Sequence, residues 1–305
     1  MPAVAIVIPA HNRATLLPRT LASVLAQTRR PDRVVLVDNG STDRTPAVMR
    51  DWAAARIAEG WTVEVLTEAK PGAAAARNAG LRAVQEEWTM FFDSDDEMAP
   101  THLALAMKCA EETPKADLIG WDVTLLLPGK RPMRKPFERF DMLFHCILDG
   151  CMATQRYMAR TALFRQAGGW DESAMVWNDI ELGTRLLTCK KDLMAYKLTN
   201  PPTVTVHFTE QSITGTSFSA SGTEREHAID LIEADLPPES RWMARLKRAI
   251  LAGCYAREGQ AEMANALATR EKEEPSRFRR IGYAFARRYT AMGGRGAARI
   301  FRNFF

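Results

Sequence analysis

The sequence predicts an α/β fold, a mostly parallel sheet flanked by helices. Short β-branched runs alternate with segments of helical spacing as far as residue 117. Polar clusters follow the runs, where ligands collect in sheets of this kind. With 305 residues, 46% hydrophobic and 26% charged, the chain suffices for one large soluble domain, or a domain with an appendage.

Residues 4–8 read as a buried strand, and Leu17, Leu21, Val24 and Leu25 then recur at helix spacing. Residues 34–37 form a second β-branched run. Thr45-Pro46 reads as an N-cap with proline at the first helical position, opening a helix to residue 57. Strands at 63–66 and 90–92 bracket an Ala-rich helix at 73–84, and residues 102–112 form another helix. Alternation of this type builds parallel strands joined by crossover helices. The loops at 9–12, 38–43, 70–72 and 93–96 should therefore open on one sheet edge. Beyond residue 117 the pattern loosens. An apolar run at 118–127 ends in the turn signal Pro128-Gly129. A strand is expected within 156–164, a helix at 179–188, a last strand at 203–206, and helices from residue 222 onward.

Three acids, Asp93, Asp95 and Asp96, follow an apolar run and repel one another unless a cation offsets them. Asp93 and Asp95 share one side of an extended chain. Asp38, at a strand end, suits a ribose or base, and equally an Asx turn with Asn39-Gly40. Arg77 stands alone among small residues that admit a ligand close to the backbone, or that simply pack a helix beneath a solvated arginine. Asp179 opens a helix after Trp177-Asn178, as a cap or as a base. His207 follows the last predicted strand.

VAIVIPAHNR, VVLVDNGSTDRT, KPGAAAARNAG, MFFDSDD, GGWDE and WNDIEL together resemble the family 2 glycosyltransferases, in that family's order and spacing, over about residues 3–215. The resemblance implies a GT-A nucleotide-diphospho-sugar transferase fold with a Rossmann-like sheet. It implies a non-processive, inverting transfer from a nucleoside-diphosphate-sugar donor to a glycan or lipid-linked acceptor, in polysaccharide or glycoconjugate synthesis. By the same resemblance Ala10, His11, Asp38, Asn39 and Arg77 hold the nucleotide. Asp93 and Asp95 meet the nucleotide, Asp95 or Asp96 ligates Mn2+ or Mg2+, His207 completes the metal contact, and Asp179 is the base. Asn39, His11 and Asn178 depart from the usual pattern, the last where the family carries a second acid. The processive synthases' QxxRW string is only approached, by Pro238-Glu239-Ser240-Arg241-Trp242. The expected division is a catalytic domain at 1–220 and a helical, Arg-rich extension at 221–305, with the acceptor pocket drawn from about 120–178 and 205–225.

The charge is uneven. Residues 1–220 hold 25 basic and 26 acidic side chains, and residues 221–305 hold 16 and 11. Arg277 to Arg302 contains eight Arg and no acid, interleaved with Phe and Tyr. That composition suits an anionic membrane surface, or a packed helix whose arginines reach to water, and less well nucleic acid. Five scattered Cys without a CxxC pair indicate neither a disulfide framework nor zinc, and favour a reducing, cytoplasmic setting, with contact at the inner membrane face through the tail. The first residues lack a basic leader, and the chain contains no apolar run of membrane-spanning length. A sugar-nucleotide pyrophosphorylase is the competing enzyme, but Pro9-Ala10-His11-Asn12 is not a Gly-rich phosphate loop. A non-catalytic nucleotide-sugar binding module is the remaining alternative.

Overall fold

A computed structural model describes residues 2–208, 217–271 and 274–301. The strands are β1 (Val4–Ala10), β2 (Arg33–Asp38), β3 (Val63–Thr67), β4 (Trp88–Phe91), β5 (Glu97–Met98), β6 (Leu118–Gly120), β7 (Val123–Leu126), β8 (Met133–Lys135), β9 (Tyr157–Arg160), β10 (Ala195–Lys197) and β11 (Val204–His207). The helices are α1 (Leu17–Leu25), α2 (Thr45–Ala58), α3 (Ala73–Ala83), α4 (His102–Glu112), α5 (Met142–Asp149), α6 (Thr161–Gln166), α7 (Asn178–Thr188), α8 (Gly222–Asp235), α9 (Trp242–Arg257), α10 (Ala261–Arg270), α11 (Arg277–Ala291) and α12 (Ala297–Phe301).

The chain divides into two compact units, and no single cut along the sequence separates them. One comprises Met1–Phe140, Cys151–Met175 and Cys189–Glu210; the other comprises Asp141–Gly150, Val176–Thr188 and Gln211–Phe305. The first holds both sheets, and the second is helical.

The main sheet has the order β10-β6-β9-β4-β1-β2-β3. Its strands run parallel except β9, which is antiparallel to β4 and β6. β1 is buried along its whole length. Ile6 and Ile8 face the cluster built with Leu17, Leu21, Met49, Leu103 and Met107, drawn from α1, α2 and α4. Val7 and Val37 face α3 on the other side, where Gly80 closes the contact. Burial on both faces is why the central strands read as unbroken apolar runs. It also places the predicted loops at one edge, as expected of a parallel sheet.

Four details differ from the sequence reading. Thr45 is the first helical residue rather than the cap. Its N–H donates to Asp43 Oδ1 at 2.8 Å, and its hydroxyl accepts from the Arg13 N–H at 2.7 Å. The acid two residues upstream thus takes the capping role. The apolar run at 118–127 is two strands in two sheets, β6 in the main one and β7 in a second of order β5-β11-β7-β8. Between them sits Asp122, fully buried, held by Lys197 at 2.8 Å and by the Phe137 N–H at 2.7 Å. A buried acid in an apolar stretch breaks the periodicity that would otherwise mark the division. The strand in 156–164 ends at Arg160 and turns into α6. Residues 93–96 form a turn, with the Asp96 N–H on the Asp93 carbonyl at 3.3 Å, instead of continuing extended. β5, β8, β10 and α5 carry no period that a sequence scan detects.

A Cβ at Gly80 would stand 2.3 Å from Val7 Cγ1. Gly80→Ala gains about 1 kcal/mol of helix propensity, but the overpacking costs ~1–3 kcal/mol. A lowered denaturation midpoint is expected; a midpoint at or above wild type refutes this account of α3 packing.

Candidate active site

The first unit gathers nine of the ten predicted residues at the carboxyl edge of its sheets. Ala10 ends β1, buried, and its carbonyl accepts from the Asn39 N–H at 2.9 Å. His11 Nδ1 meets the Asn39 carbonyl at 2.8 Å. Asn12 then adopts a left-handed φ of 52°. That bend aims its side chain across the edge, where Oδ1 accepts from the Thr42 N–H at 2.8 Å. The loops after β1 and β2 are thereby one structure.

Asn39 extends the join to the third loop. Its Nδ2 donates to the carbonyls of Glu68 and Lys70, at 3.0 and 2.7 Å, and its Oδ1 accepts from the Gly72 N–H at 2.8 Å. The amide expected to meet a nucleotide is committed to holding loops. Asp38 is different. Its Oδ2 accepts from the Ser41 N–H at 3.3 Å, while its buried Oδ1 has no hydrogen-bond partner among the described residues. A desolvated carboxylate oxygen left in that state costs free energy unless a ligand donor meets it.

α3 supplies two side chains. Arg77 is buried, with Nη2 on Asp93 Oδ1 at 2.8 Å and its guanidinium 4.5 Å above the Trp170 ring. Next to it, Asn78 grips the GGWDE turn. Its Oδ1 accepts from the Trp170 N–H at 2.8 Å, and its Nδ2 donates to the Trp170 carbonyl and to Glu172 Oε1, both at 2.9 Å. Gly169, at φ 74°, is essential to that grip, since a Cβ there would lie 2.7 Å from Asn78 Oδ1. The Asn78 contribution was missed in the sequence, although the ARN and GGWDE strings are both visible there. Hydrogen bonds from Asn78 and Lys70 hold the Glu172 carboxyl below its usual range.

The acidic turn is electrostatically lopsided. Asp93 has Arg77, whereas Asp96 is buried and accepts a hydrogen bond from the His207 N–H at 2.9 Å. Burial and the charge of Asp93 raise the Asp95 carboxyl above its ordinary pKa. Burial, Asp93 and Asp95 push Asp96 well above it. Arg19 anchors the turn through the Asp95 carbonyl, and Thr20 Oγ1 donates to the Asp96 carbonyl at 2.8 Å. The His207 imidazole turns toward Glu97, at 3.2 Å, so only its backbone meets Asp96. Among the described residues no three His, Cys, Asp or Glu side chains group as a metal site. Two oxygen donors with excess negative charge do fit Mg2+ or Mn2+, which bind through one or two carboxylates plus substrate phosphates.

Asp179 belongs to the second unit, in the first turn of α7, where its Oδ1 accepts from the Ile180 N–H at 2.9 Å. Trp177 before it has φ 54°. Its ring lies 4.1 Å from Lys247 Nζ and 5.5 Å from the Arg225 guanidinium. Lys247, from α9, donates to the Ile147 carbonyl at 2.7 Å. Burial pushes its amine down to about 8, and Asp179 is the first of the neighbours that favour its charge. Residues 209–216, part of the predicted acceptor region, lie outside the described residues.

A mostly parallel sheet flanked by helices, with its polar loops on one edge, is the GT-A fold of the glycosyltransferases that are its structural neighbours. Residues 5–145 match the family model described as glycosyl transferase family 2, so that part of the chain is a domain of that family. An uncharacterized glycosyltransferase of Haemophilus influenzae is 25% identical over 232 residues, 74% of either chain. The succinoglycan biosynthesis protein ExoO of Rhizobium meliloti is 33% identical over 111 residues, 36% of this chain and 30% of its own. Among solved structures, residues 1–349 of S. aureus TarS in complex with UDP superpose with a TM-score of 0.61 at 15% identity, covering 99% of this chain and 90% of that one. The mannosyltransferase PcManGT of Pyrobaculum calidifontis, in complex with GDP-Man and Mn2+, gives 0.57 at 19% identity, covering 99% and 84%.

The lysine makes stability pH-dependent. Lys247 loses its proton near pH 8 when folded but near 10.5 when unfolded. Between those values the unfolded state binds more protons, so this group's contribution to stability rises with pH. Wild type should gain on the order of 3 kcal/mol over Lys247→Met from pH 8 to 10.5. Parallel unfolding curves across that range would refute the assignment.

Proposed function

We propose that the chain transfers one sugar, with inversion, from a nucleoside-diphosphate-sugar to a hydroxyl of a glycan or lipid-linked acceptor. The observation that carries this reading is the acidic turn at 93–96, whose negative charge exceeds what Arg77 offsets, on the same sheet edge as the Asp38 oxygen that has no hydrogen-bond partner among the described residues. In this reading Ala10, His11 and Asp38 border the nucleoside. Asn39 keeps that pocket shaped, and Arg77 holds Asp93 at the ribose side.

Asp95 and Asp96 would hold Mn2+ or Mg2+, which when bound supplies positive charge against the leaving diphosphate. His207 supports Asp96 through its backbone and Glu97 through its ring. Asp179 accepts the proton of the acceptor hydroxyl as that oxygen attacks the anomeric carbon. We assign donor chemistry to residues 1–220 and a supporting role to 221–305. The nucleotide-sugar complexes of TarS and PcManGT, and the name of ExoO, support a sugar-nucleotide donor and a role in polysaccharide synthesis. Five cysteines without a disulfide agree with a cytoplasmic setting.

Thermal shift against a panel of nucleotide sugars with manganese tests the donor class. A donor at about 100 times its Kd adds ~2.7 kcal/mol. Asp96→Asn keeps an acceptor for the His207 N–H but removes charge, so donor affinity in manganese should fall to that of chelator-treated wild type. Donor affinity insensitive to chelator refutes the metal. Asp179→Asn should lower turnover about 10²–10⁴-fold while donor binding persists. Near wild-type turnover rules Asp179 out as base.

A further inference from the structure

β7 and β8 form a hairpin at one end of the second sheet. β7 runs beside β11 with Leu126 opposite His207, and β11 runs beside β5 with Thr205 opposite Glu97. The His207 N–H meets Asp96 at 2.9 Å. The turn that follows Leu126 therefore starts level with the acidic turn, two strand spacings or roughly 10 Å to one side. Its shape is set locally. The Lys130 N–H donates to the Leu127 carbonyl at 3.1 Å, Gly129 supplies a left-handed φ of 68°, and Pro132 restricts the return.

Residues 128–140 carry five basic side chains, Lys130, Arg131, Arg134, Lys135 and Arg139, against one acid, Glu138. Residues 1–220 as a whole hold 25 basic and 26 acidic side chains, so the hairpin stands apart from the unit that bears it. Arg134 is answered by Asp122, 2.8 Å from its Nε. Lys130, Arg131 and Arg139 are exposed and form no ion pair with the described residues. Arg139 lies 4.9 Å above the Phe140 ring, a contact that leaves its charge in place.

We propose that this hairpin is an acceptor subsite, and that the acceptor is a chain with repeated negative charge, phosphodiester or carboxylate. The inference rests on the transferase reading and specifies its acceptor. A polyanion that approaches the acidic turn and a bound diphosphate is repelled there. Three cations at the hairpin offset that repulsion, and arginine forks suit phosphate and carboxylate alike. A neutral glycan would gain nothing from them. A lipid bilayer is the poorer occupant. Only Met133 and Phe140 offer it apolar area at the hairpin, and membrane binding scales with that area.

The test is fluorescence titration of the full chain with poly(glycerol phosphate), polygalacturonate, neutral dextran and phosphatidylglycerol vesicles. Each titration is run with and without a saturating donor from the thermal-shift panel. Wild type should bind at least one polyanion, ignore dextran, release at high salt, and hold polymer and donor together. Lys130→Gln/Arg131→Gln/Arg139→Gln should weaken polyanion binding at least about tenfold, with donor affinity and Tm unchanged. Arg277→Gln/Arg280→Gln/Arg288→Gln removes as much exposed charge from α11 and should bind as wild type does. Failure to bind either polyanion, equal loss in both variants, displacement of donor by polymer, or binding of vesicles alone overturns the proposal. A wild type that binds polyanion but no nucleotide sugar fails the transferase reading instead, and the acceptor role with it.

Discussion

A strand buried on both faces has no place for a charge except its ends. β1 and β2 obey this strictly: every side chain from Val34 to Val37 is buried and apolar, and the first carboxylate arrives at Asp38. Since the strands run parallel, their polar ends fall on one edge. The site is thus a consequence of where the hydrophobic core permits polarity. α3 depends on the same constraint. Its alanines and Gly80 let it lie flush on Val7 and Val37, and that close approach sets the height at which Arg77 meets Asp93.

Two asparagines convert this edge into a rigid surface. Asn39 uses three side-chain hydrogen bonds to join the loops after β2 and β3. Asn78 uses three to hold the turn at Trp170. Loops held in this way are positioned before any ligand arrives, so binding free energy is not spent on ordering them. A charged residue at position 39 could not replace that amide, because the site needs two donors and one acceptor at the same point. The departure Asp38-Asn39 therefore has a mechanical reason.

The sequence made the strands and their polar ends legible because double burial leaves an unmistakable signature. Less legible was anything whose pattern is local and polar. β5 is two residues long, β8 is Met133-Arg134-Lys135, and the β6–β7 break hides a buried Asp122. At the site, residue identities were readable but their work was not. Composition could not reveal that His207 offers its backbone to Asp96 and its ring to Glu97. Nor could it reveal that Asn78 reads the GGWDE turn, because that contact joins residues 92 and 94 positions apart. Trp177 is a further case. A bulky residue at φ 54° is strained by ~1–3 kcal/mol, and such strain persists only when surroundings dictate it. Here Lys247 and Arg225, remote in sequence, pack against the ring.

The division of labour among the three acids follows from charge balance. Arg77 is buried, so its positive charge must be met locally, and Asp93 meets it at 2.8 Å. Drawing Asp93 toward a metal would take that carboxylate from the buried guanidinium above Trp170. Among the described residues, Asp95 and Asp96 have no such partner. Arg19 reaches the Asp95 carbonyl and Glu97 rather than either carboxylate. Asp96 receives a neutral N–H from His207, which aims it without cancelling its charge. The turn therefore presents one neutralised acid and two whose ionised forms are disfavoured until a cation arrives. Under the proposed metal assignment, a hard divalent ion held by Asp95 and Asp96 would supply that charge.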